Sequence, residues 1–203
     1  MNTHTKLDLT KPIYVNNTKT NIYYFPNFIE KQNTQHIFKT LYKETKWNQD
    51  SIKVYGKVYP QPRLTHLFAN NNKTYKYSNI TMTPSIFPKE ILQIKNQIDT
   101  LTNLDFTTCL ANLYRDGSDS NGWHADNEKE LGPDPIIASV SLGAARWFHL
   151  KHKKDKTLKT KILLEDGSLL LMKEGTQTDW LHQIPKTKKV IEPRINLTFR
   201  IIK

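Results

Sequence analysis

The sequence predicts an α+β fold that is mainly β, with its helices gathered in the first half of the chain and its strands in the second. Two periodicities carry this. Apolar residues recur at helical spacing at Ile37, Phe38, Leu41 and Tyr42, and again at Ile91, Ile94, Ile98 and Leu101. From Phe106 onward the repeat shortens to two, and runs rich in β-branched and aromatic residues are punctuated by turn signals.

Taken in order, residues 1–20 form a polar, lysine-rich arm with an edge strand around 12–15. Residues 21–105 hold the two helices. Asn27-Phe28-Ile29-Glu30 has the form of a capping box, an Asn cap with Glu three residues later, which would open the first helix. Pro88 suits the first turn of the second helix, where a backbone N–H has no partner to lose. Residues 106–203 hold strands at 106–114, 136–142, 146–151, 161–164, 168–172 and 194–202, with Asp166-Gly167 as a hairpin turn between the fourth and fifth. The 203 residues contain no repeat and no low-complexity linker, so one structural domain is expected.

Hydrophobic residues make up 37% of the chain and aromatics 10%, enough for a packed core rather than a disordered chain. The net charge of +11 suggests a polyanionic partner. Lysines concentrate at Lys151, Lys153, Lys154 and Lys156, and at Lys186, Lys188 and Lys189; such runs serve either as solvated loops or as phosphate contacts. Cys109 is the only cysteine, so no intramolecular disulfide can form, and its place in an apolar run predicts a small buried residue. No stretch has signal-peptide or membrane-spanning character. The expectation is a monomer without membrane contact in a reducing intracellular compartment, cytoplasmic in a prokaryote or nuclear in a eukaryote.

The most informative stretch is Arg194-Ile195-Asn196-Leu197-Thr198-Phe199-Arg200. On a strand, Ile195, Leu197 and Phe199 share one face, and Arg194, Asn196, Thr198 and Arg200 share the other. The polar face is either a solvent-facing edge or an anion site, since arginine suits bidentate capture of carboxylate or phosphate. Upstream, Gly122-Trp123-His124-Ala125-Asp126 contains a His-x-Asp pair that, if extended, turns both side chains to one side. A second histidine on another strand would complete the two-histidine, one-carboxylate set of non-haem iron(II) oxygenases, and His182 meets that requirement.

The order His-x-Asp, His, Arg-x-Asn-x-x-x-Arg, carried by His124, Asp126, His182, Arg194, Asn196 and Arg200, resembles the signature of the AlkB family of iron(II)/2-oxoglutarate dioxygenases. Asn112-Leu113-Tyr114 resembles that family's Asn-x-Tyr element, and residues 137–143 its strand behind the site. The resemblance runs from about Val54 to the C-terminus and is strongest to the branch that repairs double-stranded DNA. It implies a double-stranded β-helix, or jelly roll, backed by N-terminal helices, with a nucleotide-recognition lid within residues 21–105 and the dioxygenase core in residues 106–203. It further implies that His124, Asp126 and His182 are catalytic and ligate Fe(II). Asn112, Tyr114, Arg194, Asn196 and Arg200 would hold 2-oxoglutarate, with Arg200 on its distal carboxylate. Dioxygen and 2-oxoglutarate would be consumed to hydroxylate an N-methyl carbon, giving succinate, CO2, formaldehyde and the repaired base; the protein's part is positioning.

The resemblance also implies a substrate side. Tyr55, with Gly56 and Lys57, matches the wedge that props a duplex when a base is extruded, although that branch more often has phenylalanine there. Arg63 lies in the same region, and Tyr75 and Tyr77 share a strand face on which a flipped base could stack; they also read as ordinary strand aromatics. Glu128 or its neighbour Asn127 would face the exocyclic amino group of the base; the other reading of Glu128 is an exposed loop carboxylate. The expected activity is repair of 1-methyladenine and 3-methylcytosine in alkylated DNA, duplex preferred and single strand possible. Demethylation of RNA or of single-stranded DNA is the alternative. A non-catalytic nucleic-acid module with structural zinc is disfavoured by the single cysteine.

Overall fold

A computed structural model describes residues 11–54, 56–70, 75–77 and 80–202, with backbone only for 52–54, 75–77 and 80–81. In chain order the elements begin with β1 (Tyr14–Val15), β2 (Thr18–Lys19), β3 (Ile22–Phe25), α1 (Lys31–Glu44), β4 (Ser51–Val54), β5 (Lys57–Pro60) and β6 (Leu64–Ala69). They continue with β7 (Tyr75–Tyr77), β8 (Ile80–Met82), β9 (Ser85–Ile86), α2 (Lys89–Thr102), β10 (Thr108–Tyr114), β11 (Asn121–His124), β12 (Ile137–Gly143) and β13 (Arg146–His152). Last come β14 (Lys159–Leu164), β15 (Leu169–Met172), α3 (Thr176–Asp179), β16 (Trp180–Ile184) and β17 (Arg194–Arg200).

The strands build a seven-stranded major sheet, ordered β3-β15-β12-β17-β10-β6-β9, and a four-stranded minor sheet, ordered β11-β16-β13-β14. Pairing is antiparallel except between β6 and β9. This is the expected jelly roll. Strand alternation makes the two layers. Cys109, Ala111 and Leu113 on β10, Val140 and Leu142 on β12, and Ile195, Leu197 and Phe199 on β17 pack with Ile91, Ile94 and Ile98 of α2 and Leu41 of α1. The opposite residues of the major sheet, including Leu110 and Tyr114, pack with Phe148, Leu150, Leu164, Trp180 and Ile184 of the minor sheet. Each fully buried aliphatic or phenyl side chain contributes about 1.5–3 kcal/mol by leaving water.

Of the two readings of the arginine-bearing strand, the solvent-facing edge is excluded, because β17 is paired on both sides, with β10 and with β12. Two sequence expectations are corrected. The capping box is displaced: α1 starts at Lys31 behind Glu30, without a side-chain cap. Ile29 N–H donates to the Gly167 carbonyl at 2.9 Å, which holds residues 27–29 outside the helix. Thr34 Oγ1 instead donates to Asp166 Oδ2 at 2.7 Å and pins the first turn. Asp166-Gly167 is not a hairpin turn either, since β14 and β15 lie in different sheets. Only Gly167 of the pair has positive φ, at 75°, whereas the type I′ hairpin turn that Asp-Gly favours needs both central residues there. The turn carries the chain from one sheet to the other.

Gly143 ends β12 at φ 85°. A Cβ there would sit 2.6 Å from the Pro193 carbonyl oxygen and 2.7 Å from the Phe38 ring. Gly143→Ala should therefore cost about 2–4 kcal/mol, from backbone strain and overpacking together. Urea denaturation checks this as a lowered midpoint with an unchanged slope.

Candidate metal centre

Neighbouring strands of two facing sheets bring the predicted residues into one pocket. It is lined by Asn112 and Tyr114 from β10, His124 from β11, Asp126 just beyond it, His182 from β16, and Arg194, Asn196, Thr198 and Arg200 from β17. His124 and His182 are opposed in register across β11 and β16. Asn112 and Asn196 are opposed across β10 and β17, as are Tyr114 and Arg194. Ser139 of β12, Leu110, Phe148, Leu164, Met172 and Ile184 complete the wall, so a polar floor sits inside apolar sides.

One nitrogen of His124, one oxygen of Asp126 and one nitrogen of His182 lie within 4.8 Å of one another, close enough to share an ion. Nε2 of His124 is 3.9 Å from Asp126 Oδ1, and Nε2 of His182 is 3.9 Å from Asp126 Oδ2. The imidazoles meet edge to face at 4.2 Å between centroids, and Phe148 stacks on His182 at 5.1 Å. Nδ1 of His124 donates to the Gly122 carbonyl at 2.7 Å, which fixes the tautomer and leaves Nε2 with a lone pair. Asn121 Nδ2 donates to that lone pair at 3.1 Å.

The electrostatics favour ligation. Burial pushes the His182 imidazole down to about 3, and neighbouring His124 adds to the effect, so His182 is neutral at physiological pH. Burial likewise lowers His124. Burial alone would raise the Asp126 carboxyl, but the Arg200 guanidinium and the two histidines hold it well below the usual carboxylate range. Arg200 donates to Asp126 Oδ1 at 2.8 Å. A carboxylate, two neutral imidazoles and open space beside them fit a divalent metal.

Arg194 fits an anion. It is 1% exposed, and its Nη2 donates to Ser141 Oγ at 2.8 Å. Its Nε and Nη1 have no hydrogen-bond partner among the described residues. Burial pulls the group down to about 10, which leaves it charged at neutral pH. A buried guanidinium with two unmatched donors is costly until a carboxylate meets it. Arg200, expected on the distal carboxylate of the co-substrate, donates to Asp126 Oδ1 at 2.8 Å in this arrangement.

Four supporting residues escaped the sequence reading. Asn121 stands on His124. Gln177 Oε1 accepts the Asp126 N–H at 2.9 Å. Ser141 braces Arg194, and Ser139 Oγ accepts from Asn196 Nδ2 at 2.8 Å. The two serines were findable as a polar pair at strand spacing in residues 137–143; Asn121 and Gln177 carried no such signal.

Gly56, Lys57, Arg63, Asn127 and Glu128 are not among the residues that line this pocket. Arg63 is buried, donating to Asn112 Oδ1 at 2.8 Å and to the Ser120 carbonyl at 3.3 Å. Asn127 is exposed, and Glu128 is half-buried ahead of a 3-10 turn at Lys129–Leu131. Gly56 and Lys57 are exposed at the β4–β5 hairpin, and Tyr55 lies outside the described residues. Tyr75 and Tyr77 are on β7 opposite β8, with only their backbone described.

His182→Ala and Gln177→Ala separate ligand from support. His182→Ala should weaken Mn(II) binding by at least about 100-fold, and Gln177→Ala by about 10-fold or more. Isothermal titration checks both, with circular dichroism confirming retained fold.

Residues 21–200 match the model of the 2OG-Fe(II) oxygenase superfamily. The chain is 40% identical over 186 residues to alpha-ketoglutarate-dependent dioxygenase alkB homolog 3 of Bos taurus, covering 87% of this chain and 64% of that protein. It is 36% identical over 182 residues to DNA oxidative demethylase ALKBH2 of Homo sapiens, covering 85% and 70%. The chain thus spans a little under two thirds of the bovine relative. Among solved structures, OsALKBH1 superposes with a TM-score of 0.65 at 19% identity, covering 90% of this chain and 98% of that one, and a Pseudomonas putida prolyl-4-hydroxylase with 0.60 at 12%, covering 90% and 93%. Those two likenesses establish the fold, and the family match with the closer sequence relatives establishes the lineage: the chain belongs to the AlkB family within the 2OG-Fe(II) oxygenase superfamily.

Proposed function

We propose that this protein is an Fe(II)- and 2-oxoglutarate-dependent dioxygenase that removes N-alkyl groups from DNA bases, with 1-methyladenine and 3-methylcytosine as its substrate class. The observation that carries the reading is the shared pocket: a buried His-Asp-His set beside a buried arginine with two unmatched donors. The names of the relatives, alkB homolog 3 and DNA oxidative demethylase, supply the substrate class. The +11 charge accords with a polyanionic substrate.

His124, Asp126 and His182 would hold the iron. When bound, iron and 2-oxoglutarate with dioxygen supply the oxidation, yielding succinate, CO2 and, from the methyl carbon, formaldehyde. The chain's own residues do the positioning. Arg194 binds the distal carboxylate of the co-substrate through the donors that Ser141 leaves open. Tyr114 lies under that guanidinium, 5.2 Å from ring centroid to Cζ, and limits where it can move. Asn196 is anchored on Ser139 and the Val140 carbonyl, and Asn112 on Arg63, so both amides present fixed edges to the co-substrate. Arg200 keeps Asp126 ionised and oriented. Leu110, Phe148 and Ile184 exclude bulk water.

On the substrate side, Tyr55, Gly56 and Lys57 would prop the duplex, and Tyr75 and Tyr77 would stack on the extruded base. Asn127 or Glu128 would read its amino group, while Arg63 acts from beneath by fixing Asn112. Duplex DNA is preferred and single-stranded DNA is also accepted, and the protein acts as a monomer. No helix among the described residues is long and apolar enough to cross a membrane.

The direct test is formaldehyde release from matched single- and double-stranded oligonucleotides carrying one 1-methyladenine. Release should require Fe(II) and 2-oxoglutarate and vanish in Asp126→Ala; no release from either oligonucleotide would remove the DNA substrate. Arg194→Met should raise the KM for 2-oxoglutarate by about 100-fold while leaving Mn(II) affinity within about 2-fold, since a charge-assisted bidentate contact is lost and no ligand moves. Arg200→Met should instead weaken Mn(II) through Asp126.

A further inference from the structure

The outer face of the minor sheet is built unlike an ordinary solvated surface. Trp147 of β13 is 49% exposed and Trp123 of β11 is 40% exposed. Trp147 makes no ring contact or side-chain hydrogen bond among the described residues. His149 lies two residues beyond Trp147 on the same face, and its ring is 6.5 Å from that of Trp123. Lys151 follows at the same spacing, with Nζ 4.2 Å from the Trp123 ring centroid. On β14, Lys161 pairs with His149 and Lys159 with Lys151, and both lysines are exposed. None of the four strands of this sheet contains an Asp or Glu.

Two exposed indoles stand among three lysines that form no ion pair among the described residues, with Lys151 lying over one ring of Trp123. We propose that this face binds single-stranded DNA next to the target nucleotide, with unpaired bases on Trp147 and Trp123 and backbone phosphates on Lys151, Lys159 and Lys161. A duplex hides its base faces, so indoles of this kind favour an unpaired strand. A protein partner matched to this surface would need acidic groups to meet the lysines, whereas a nucleic-acid strand brings both the charge and the aromatic faces. Trp123 faces outward on β11, and its neighbour His124 lines the pocket from the other face of the same strand. The proposal rests on the demethylase reading only for the identity of that strand.

The test measures fluorescence anisotropy of unmodified single-stranded oligonucleotides and blunt duplexes with the full chain. Trp147→Ala should weaken single-strand binding by at least about 10-fold, with Trp147→Phe retaining most of the affinity and duplex binding unchanged. Indole emission should fall when oligo-dT binds wild-type protein, and fall less in Trp147→Phe. Formaldehyde release from methylated mononucleotides, too short to reach the platform, should be the same in Trp147→Ala as in wild type. Unchanged single-strand affinity in Trp147→Ala, an equal loss on blunt duplex, or binding confined to RNA would each overturn the proposal. Binding that depends on Trp147 in a protein that releases no formaldehyde would instead uphold the platform and sink the demethylase reading.

Discussion

Arg194 and Arg200 are 1% and 3% exposed in the middle of the major sheet, and a guanidinium so far from water must be met by charge or by oriented dipoles. Arg200 meets Asp126 and thereby holds the carboxylate ionised and in place. Among the described residues Arg194 meets Ser141 and the face of Tyr114, and its Nε and Nη1 have no hydrogen-bond partner there. The pocket is organised around this asymmetry. Arg200 braces the metal side through Asp126, and Arg194 holds the donors that the proposed co-substrate carboxylate would meet.

The same logic continues one layer out. A further buried cation, Arg146, is 3% exposed and donates to the carbonyls of Asp116, Asp119 and Pro185 at 3.1, 2.8 and 2.8 Å. It also lies 5.5 Å from the centroid of the Tyr114 ring, so that ring is flanked by two guanidiniums. Arg146 thus ties the 115–120 loop, which leads into the His-x-Asp pair, to the end of the strand that carries His182. Gln177 does similar work on the other side, holding the Asp126 backbone while its Nε2 lies 3.5 Å from the Met172 sulfur. The histidines need no charged partner to be useful. Burial keeps them neutral, and a neutral imidazole is the form that ligates a metal.

Charge is distributed by face rather than by segment. The inner face of the minor sheet carries His124 and His182 toward the pocket, and its outer face carries Trp147, Lys151, Lys159 and Lys161 toward solvent. A strand's period of two puts these roles on alternate residues of the same few segments. Arg63 shows the converse: grouped by its sequence position with the substrate side, it is buried and donates to Asn112 Oδ1.

The sequence by itself determined the alternation of the C-terminal strand, the helical period of α1 and α2, and the identity and order of the pocket residues. Each is a local property: side-chain spacing sets the face, and the residue type sets the chemistry it can offer. The displaced capping box and the sheet-crossing turn at Asp166-Gly167 were not legible, because both depend on what lies across the gap. Glu30 becomes the cap once Ile29 is bonded to Gly167, and Asp166 serves both Thr34 and the Gly143 N–H at 2.8 Å. Nor could spacing rank the two arginines. Only the tertiary structure decided that Arg200 faces Asp126 and Arg194 faces open space, because that choice rests on contacts between residues as much as 74 positions apart. Such contacts exist only when two sheets close on each other.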